Sequence, residues 1–150
     1  MKAMHFFFYG TLVAGHTNPV ARLIHAKLRP AGPATVSGKL YAIPKSEGWY
    51  PALLPGDGDV HGMLYAVHNG FGEADLARMD DYEDFHPGHA AISLYIRESR
   101  AICREDGTSH QAQTYRYSQP LPPDAQFIPN GNFSAWLDEH GLIAFASARH

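Results

Sequence analysis

Two stretches of the sequence carry residue types that could bind an anion or move a proton. The first follows an apolar run at residues 5–8 and consists of Tyr9, Gly10, Thr11 and Leu12. The glycine permits a sharp turn that presents backbone N–H groups to an anion or a developing oxyanion. The second is an acidic segment, residues 80–84, in which Glu83 is the candidate general acid and base. Because strand–glycine–turn junctions are common, the turn by itself favours a structural role.

Glu83 needs particular surroundings to act as a base at neutral pH, because an ordinary glutamate has a pKa of about 4.3. The spacing of apolar residues predicts a helix over residues 73–82, which would place Glu83 at its end. Burial there, or a neighbouring carboxylate, would raise the pKa of Glu83. The alternative is that Glu83 caps a loop or lies in solvent with the other acidic side chains of its segment.

The composition indicates one globular domain spanning residues 1–150, with 45% hydrophobic and 18% charged residues. A net charge of -3 without a basic stripe argues against nucleic acid as a partner. The single cysteine, Cys103, excludes an internal disulfide and is expected to be a buried, inert thiol. No segment approaches the roughly 20 apolar residues of a membrane span. The first apolar run is too short for a signal peptide, so we expect a cytoplasmic chain.

The ten histidines do not predict a metal site. His86 and His89 lie three residues apart in a proline–glycine turn instead of on one helix face, and no His-Glu-x-x-His pattern occurs. We therefore expect no functional metal.

Many glycines and prolines divide the chain into short elements. Strands are predicted at residues 4–9, 34–43, 49–54, 60–67, 90–97, 101–104 and 111–117, with a turn at residues 55–58. Helices are predicted at residues 20–28, 73–82 and 132–140, the last ended by Gly141. Strands outnumber helices and hairpins outnumber βαβ units, which indicates an α+β fold with a mainly antiparallel or mixed, curved sheet.

Several short motifs occur in a fixed order along nearly the whole chain. They are Tyr9-Gly10-Thr11-Leu12, residues 48–53 (GWYPAL), 60–65 (VHGMLY), 79–83 (MDDYE), 95–97 (YIR), 113–115 (QTY) and 133–137 (FSAWL). In these motifs and their order the chain resembles the gamma-glutamylcyclotransferase-like family. The resemblance implies a small mixed, mainly antiparallel β-barrel flanked by short helices.

The resemblance also implies a reaction without a metal or organic cofactor. The α-amine of a small γ-glutamyl amine or peptide attacks its own γ-carbonyl, which expels the amine or amino acid and leaves 5-oxoproline. Glu83 matches the glutamate that is catalytic in the family. The residues expected to contact substrate are Tyr9, Gly10, Thr11, Leu12, Tyr95 and Tyr115.

Three points stay open at this stage. Tyr95 and Tyr115 could bind the substrate or Glu83 through their phenols, or be ordinary strand tyrosines. Asp84 stands where the family usually has glycine, and its carboxylate could raise the pKa of Glu83 or point to solvent. The same fold could also be a non-catalytic small-molecule-binding module, with Glu83 turned outward, or an interaction protein that uses the proline-rich loop at residues 120–129.

Overall fold

The computed structural model describes residues 4–10, 23–45, 48–68 and 70–144. Within these ranges the strands are β1 (His5–Phe8), β2 (Leu28–Lys45), β3 (Gly48–Val67), β4 (Tyr95–Arg104), β5 (Ser109–Tyr117) and β6 (Gln126–Phe127). The helices described over their whole length are α1 (Glu73–Tyr82), a 3₁₀ helix (Ala90–Ile92) and α2 (Phe133–His140). Of the predicted helix at residues 20–28, residues 20–22 lie outside the described ranges, residues 23–25 are helical, and β2 begins at Leu28.

Five strands close into a barrel in the order β3-β1-β5-β4-β2, since β2 also pairs with β3. The short strand β6 is added to β2. The β1–β5 pair is parallel and the other pairs are antiparallel. The prediction of a small mixed, mainly antiparallel barrel with short helices is therefore confirmed.

The largest departure from the sequence-based prediction is the long β2–β3 hairpin, whose strands have 18 and 20 residues. Residues 55–58 were predicted to be a turn between two strands, and this was wrong. The register passes from Ser37↔Asp59 to Lys39↔Leu54, so these residues form a bulge in one continuous strand. Because β2 continues on the opposite side of the bulge, pairing resumes beyond it. The outer part of the hairpin, residues 39–45 and 48–54, is called the distal arm below.

Both faces of β1 are buried, which explains its three consecutive phenylalanines. Phe7 and Tyr9 pack in a core with Trp136 and other residues of α2. Phe6 and Phe8 pack in a second core, which contains buried side chains of α1, β4 and β5: Met79, Tyr82, Tyr95, Tyr115 and Tyr117. The face of β1 that carries Phe6 and Phe8 thus holds α1, and with it the segment that ends in Glu83.

Capping residues fix the ends of α2 where the sequence predicted them. The Asn132 side chain accepts a hydrogen bond from the Ala135 N–H at 3.0 Å. Gly141 ends the helix in the left-handed region, with φ 64°. Trp136 on this helix meets Trp49 of the distal arm edge to face, with ring centroids 5.1 Å apart. This contact ties α2 to the distal arm.

Two further predictions were wrong in detail. Residues 90–92 form a 3₁₀ helix instead of a strand, because the buried Ser93 hydroxyl makes local hydrogen bonds with the His86 N–H (2.8 Å) and the His89 carbonyl (3.0 Å). Cys103 is exposed instead of buried, because its neighbour Ile102 takes the inward-facing position of β4. In the described part of the chain, no helix is both long and apolar enough to cross a membrane.

Candidate active site

Glu83 lies directly after the last turn of α1. Its backbone N–H donates to the Met79 carbonyl at 3.1 Å, and its backbone angles, φ −87° and ψ 5°, end the helix there. The residue is half-buried. The predicted helix at residues 73–82 is confirmed, and its C-terminal end fixes the backbone from which the Glu83 carboxylate projects.

The Tyr9–Gly10 turn is enclosed by β5 on one side and by the distal arm on the other. The Tyr9 hydroxyl donates to the carbonyl of Tyr115. A Cβ atom added at Gly10 would overlap the ring of Pro51. The absence of a side chain at Gly10 therefore allows the distal arm to approach this turn. Thr11 and Leu12, predicted to contribute to the same turn, lie outside the described residues.

The phenols of the three predicted tyrosines all donate to groups of the protein. Tyr9 donates to the Tyr115 carbonyl and Tyr95 to the Pro51 carbonyl. The Tyr115 hydroxyl donates to Asp80 Oδ1 at 2.6 Å. Since a phenol has only one hydrogen to donate, any further partner of these oxygens has to supply an N–H or O–H. The tyrosines thus offer acceptors, and an oxyanion would have to be bound by other groups.

The charge of the Glu83 carboxylate acts on all three tyrosines. Burial is the main cause that raises the pKa of Tyr9, Tyr95 and Tyr115 well above the ordinary value of 10.0, and the charge of Glu83 raises each pKa further. Charge–charge energies fall with distance and are screened by water. Hydrogen bonds connect Tyr9 to Tyr115 and Tyr115 to Asp80, and Asp80 lies three residues before Glu83.

These raised pKa values predict a specific response to alkali. A group whose pKa is higher in the folded state contributes stability that is fully present below its unfolded pKa and is lost as pH rises toward the folded one. We therefore expect the free energy of unfolding to decrease above about pH 10. At least three of the eight tyrosines should ionise only together with unfolding.

The measurement is tyrosinate absorbance followed beside far-ultraviolet circular dichroism in an alkaline titration. Replacing Tyr115 with Phe should reduce the late-ionising group by one tyrosine. If every tyrosine of the native protein ionised before any loss of circular dichroism, the described burial of these phenols would be wrong.

Asp84 adopts a left-handed backbone conformation, with φ 55°. Glycine takes this conformation without strain, and aspartate is one of the few other residues that adopt it readily. The requirement explains why glycine suits this position. The Asp84 carboxylate lies beside a partner: Oδ1 is 2.8 Å from His86 Nε2, and the side chain is 31% exposed.

The conformation of Asp84 predicts different effects of two substitutions on the free energy of unfolding. Asp84→Gly should change the free energy of unfolding by less than about 1 kcal/mol, because relief of strain offsets the lost His86 contact and the freer unfolded chain. Asp84→Val should destabilise by about 1–2 kcal/mol, because a β-branched residue fits this region poorly. Urea denaturation of both variants measures the difference. Equal stability of the two would contradict the left-handed conformation.

Asp80, Arg97 and Pro51 belong to the same constellation but were not singled out from the sequence. Asp80 was grouped with an acidic run, yet its side chain is buried and contacts Arg97, whose Nε lies 2.9 Å from Oδ1. Arg97 in the YIR motif could have indicated this role of Asp80. A cation at an inward-facing strand position requires a partner of opposite charge. Nothing local in the sequence marks the Pro51 carbonyl as an acceptor.

A second group of polar side chains lies beside α2 and shares Tyr9 with this constellation. A groove of about 430 Å³ beside α2 is lined in part by His61, Cys103 and Arg104 and also touches Tyr9, but its described lining includes neither Glu83 nor Tyr95. Within the described ranges, no three His, Cys, Asp or Glu side chains converge to hold a metal ion.

Comparison with solved structures gives relatives of the same fold. An AIG2-like protein from Mus musculus is 26% identical, with all of both chains covered and a TM-score of 0.72. A structure named gamma-glutamyl cyclotransferase is 12% identical over 99% of this chain and 93% of that one, with a TM-score of 0.58. Kluyveromyces lactis allophanate hydrolase matches at 16% identity and a TM-score of 0.60, over 93% of this chain but only 22% of the hydrolase. The last two likenesses show the fold alone.

Comparison by sequence gives the family. No curated protein matches the chain. The sequence profile of the family "Gamma-glutamyl cyclotransferase, AIG2-like" matches residues 6–135, a range that includes the Tyr9 turn, α1, Glu83 and both strand tyrosines. The chain therefore belongs to the gamma-glutamyl cyclotransferase, AIG2-like family.

Proposed function

We propose that this protein is a γ-glutamyl cyclotransferase that releases 5-oxoproline from a small γ-glutamyl amine or peptide, with Glu83 as general acid and base. The α-amino nitrogen of the substrate forms a bond to the γ-carbonyl carbon, and the bond from that carbon to the leaving nitrogen breaks. Glu83 accepts a proton from the attacking amine and returns one to the leaving nitrogen. The products are 5-oxoproline and a free amine or amino acid, and no redox partner is needed.

One observation carries this proposal: the Tyr9 hydroxyl donates to the Tyr115 carbonyl, and the Tyr115 hydroxyl donates to Asp80, three residues before Glu83. The charge of Glu83 also raises the pKa of the buried Tyr9 phenol. Both support a site in which Glu83 and the Tyr9–Gly10 turn act on one substrate. Family membership supports the same type of activity. The two together favour catalysis over a structural role for the turn.

The surrounding groups suit the two ends of a folded γ-glutamyl chain. The phenol oxygens of Tyr9 and Tyr95 have already donated their hydrogens, so they are matched to the N–H groups of the α-amine. Backbone N–H groups of the turn, including the predicted Thr11 and Leu12, would bind the α-carboxylate or the developing oxyanion. Holding both ends makes ring closure intramolecular, and such positioning can contribute about 7–11 kcal/mol.

The direct test is incubation of the protein with a panel of γ-glutamyl dipeptides and γ-glutamyl alkylamines. We expect 5-oxoproline and the free amine in equal amounts from at least one member. The relative kcat/KM values across the panel identify the leaving group.

A binding module on the same fold gives a different result. Such a protein would bind members of the panel in calorimetry and release no 5-oxoproline from any of them. That result would overturn the catalytic proposal and retain the pocket.

A further inference from the structure

A buried carboxylate lies one turn before Glu83. Asp80 is 6% exposed and receives hydrogen bonds from two strands of the barrel. Arg97 of β4 contacts both of its oxygens, Nε–Oδ1 at 2.9 Å and Nη2–Oδ2 at 3.4 Å. Tyr115 of β5 donates to Oδ1 at 2.6 Å. A charged group this deeply buried requires such partners, and they connect α1 directly to β4 and β5.

A main-chain hydrogen bond of Asp80 spans the segment that contains Glu83. The Asp80 carbonyl accepts a hydrogen bond from the Phe85 N–H at 2.8 Å, across the residues that include Glu83. The side chain and the main chain of Asp80 therefore hold the start of the short segment that carries the proposed base. A shift of Asp80 would move Glu83 with it, since only part of one helical turn separates them.

The same carboxylate is connected to the opposite side of the proposed site. Tyr115 donates to Asp80 through its hydroxyl, and its carbonyl accepts the hydroxyl of Tyr9. Two hydrogen bonds thus lead from the last turn of α1 through β5 to the Tyr9 turn. Arg97 is fixed in turn, because its Nη1 donates to Gln113 Oε1 at 2.8 Å. The three motifs at residues 79–83, 95–97 and 113–115 therefore meet at Asp80.

We infer that Asp80 is a positioning residue, which holds the Glu83 carboxylate at the correct separation from the Tyr9–Gly10 turn. The inference rests on the proposed function. Asp80 does not touch substrate in this role, and it acts through Glu83 and Tyr115. A small displacement of a catalytic group can lower a rate about 100-fold, so loss of this anchor should lower kcat far more than it alters substrate binding.

Asp75 offers a matched control on the same helix. It is also 6% exposed, and it pairs with two cations, Lys27 at 3.2 Å and Arg78 at 3.3 Å. It lies in the first turn of α1, at the opposite end from Glu83. Asp75→Asn and Asp80→Asn each remove one buried charge from α1. Only the second replaces an oxygen that accepts from Arg97 with an NH₂ group, and so weakens the charge-assisted bonds beside Glu83.

The experiment compares the two asparagine variants by kinetics and by thermal unfolding. Asp80→Asn should lower kcat about 10- to 100-fold with KM changed less than about threefold, whereas Asp75→Asn should lower the melting temperature without lowering kcat. The double variant Asp80→Asn/Arg97→Gln also removes the cation that has lost its carboxylate partner, and it should recover stability but not kcat. The inference fails if kcat recovers with stability, or if Asp80→Asn retains the wild-type kcat.

A readout that does not need turnover separates this inference from the proposed function. Carboxyl carbon resonances of Glu83 and ring resonances of Tyr9 should both shift in Asp80→Asn and stay unchanged in Asp75→Asn. If the wild type released no 5-oxoproline but these resonances shifted, the proposed reaction would be wrong, and the inference that Asp80 positions Glu83 would stand. Unchanged resonances in Asp80→Asn would overturn the inference that Asp80 positions Glu83, whatever the activity.

Discussion

Replacing Glu83 with Gln is expected to lower the rate of 5-oxoproline release by about 10²- to 10⁴-fold. Glutamine has nearly the same size and keeps a carbonyl oxygen, but it cannot accept the proton of the attacking amine or return it to the leaving nitrogen. Because Glu83 is half-buried at a helix end and its backbone N–H holds the Met79 carbonyl, the substitution leaves the backbone contacts in place. Steady-state kinetics on the best γ-glutamyl substrate measure the effect.

Glu73 provides the control for this result, because it lies in the first turn of α1 and its side chain is exposed. Glu73→Gln should retain the wild-type rate. A Glu83→Gln variant that is as active as Glu73→Gln would remove Glu83 from the mechanism. Equal melting temperatures of the two variants would show that lost activity is not lost folding.

The second large effect is expected from Gly10→Ala, which should destabilise the protein by about 1–3 kcal/mol and also lower kcat/KM. The added methyl group would overlap the ring of Pro51, so either the turn or the distal arm has to move. Movement of Pro51 would disturb its carbonyl, which accepts the Tyr95 hydroxyl. Urea denaturation and the same kinetic assay measure both consequences.

Two variants separate this steric effect from a general intolerance of alanine. Gly72→Ala adds a methyl group where no heavy atom lies within 4 Å, and it should retain the wild-type kcat/KM. Gly10→Ala combined with Pro51→Ala removes most of the overlap and should recover part of the lost stability, as coupled neighbours do. Gly10→Ala with unchanged stability would contradict the close approach of the distal arm.

Local patterns were sufficient to predict the elements that carry the site. The apolar run before Tyr9 predicted β1, and the periodicity of residues 73–82 predicted α1, with Glu83 at its end. Gly141 predicted the C-terminal end of α2. These signals work because capping and apolar periodicity act between residues that are close in sequence.

Contacts between distant segments could not be predicted in the same way. Arg97, the cation paired with Asp80, lies 17 residues away, and the hydroxyl of Tyr9 reaches a carbonyl 106 residues away. The glycines at residues 55–58 indicated a turn, and only the continuation of β2 opposite them makes that segment a bulge. Composition and spacing do not specify which strand will be the neighbour, and the proposed site depends on that choice.

The parallel pairing of β1 with β5 has a consequence for the order in which the protein can fold. A chain that ends at Val67 already contains β1, β2 and β3, which pair with one another. The hydrogen bond of Tyr9 can form only after Tyr115 is present, and those of Asp80 only after Arg97 and Tyr115 are present. The contacts of the proposed site therefore have high contact order. A nascent chain that stops before β5 can therefore form paired strands, but it cannot complete the site.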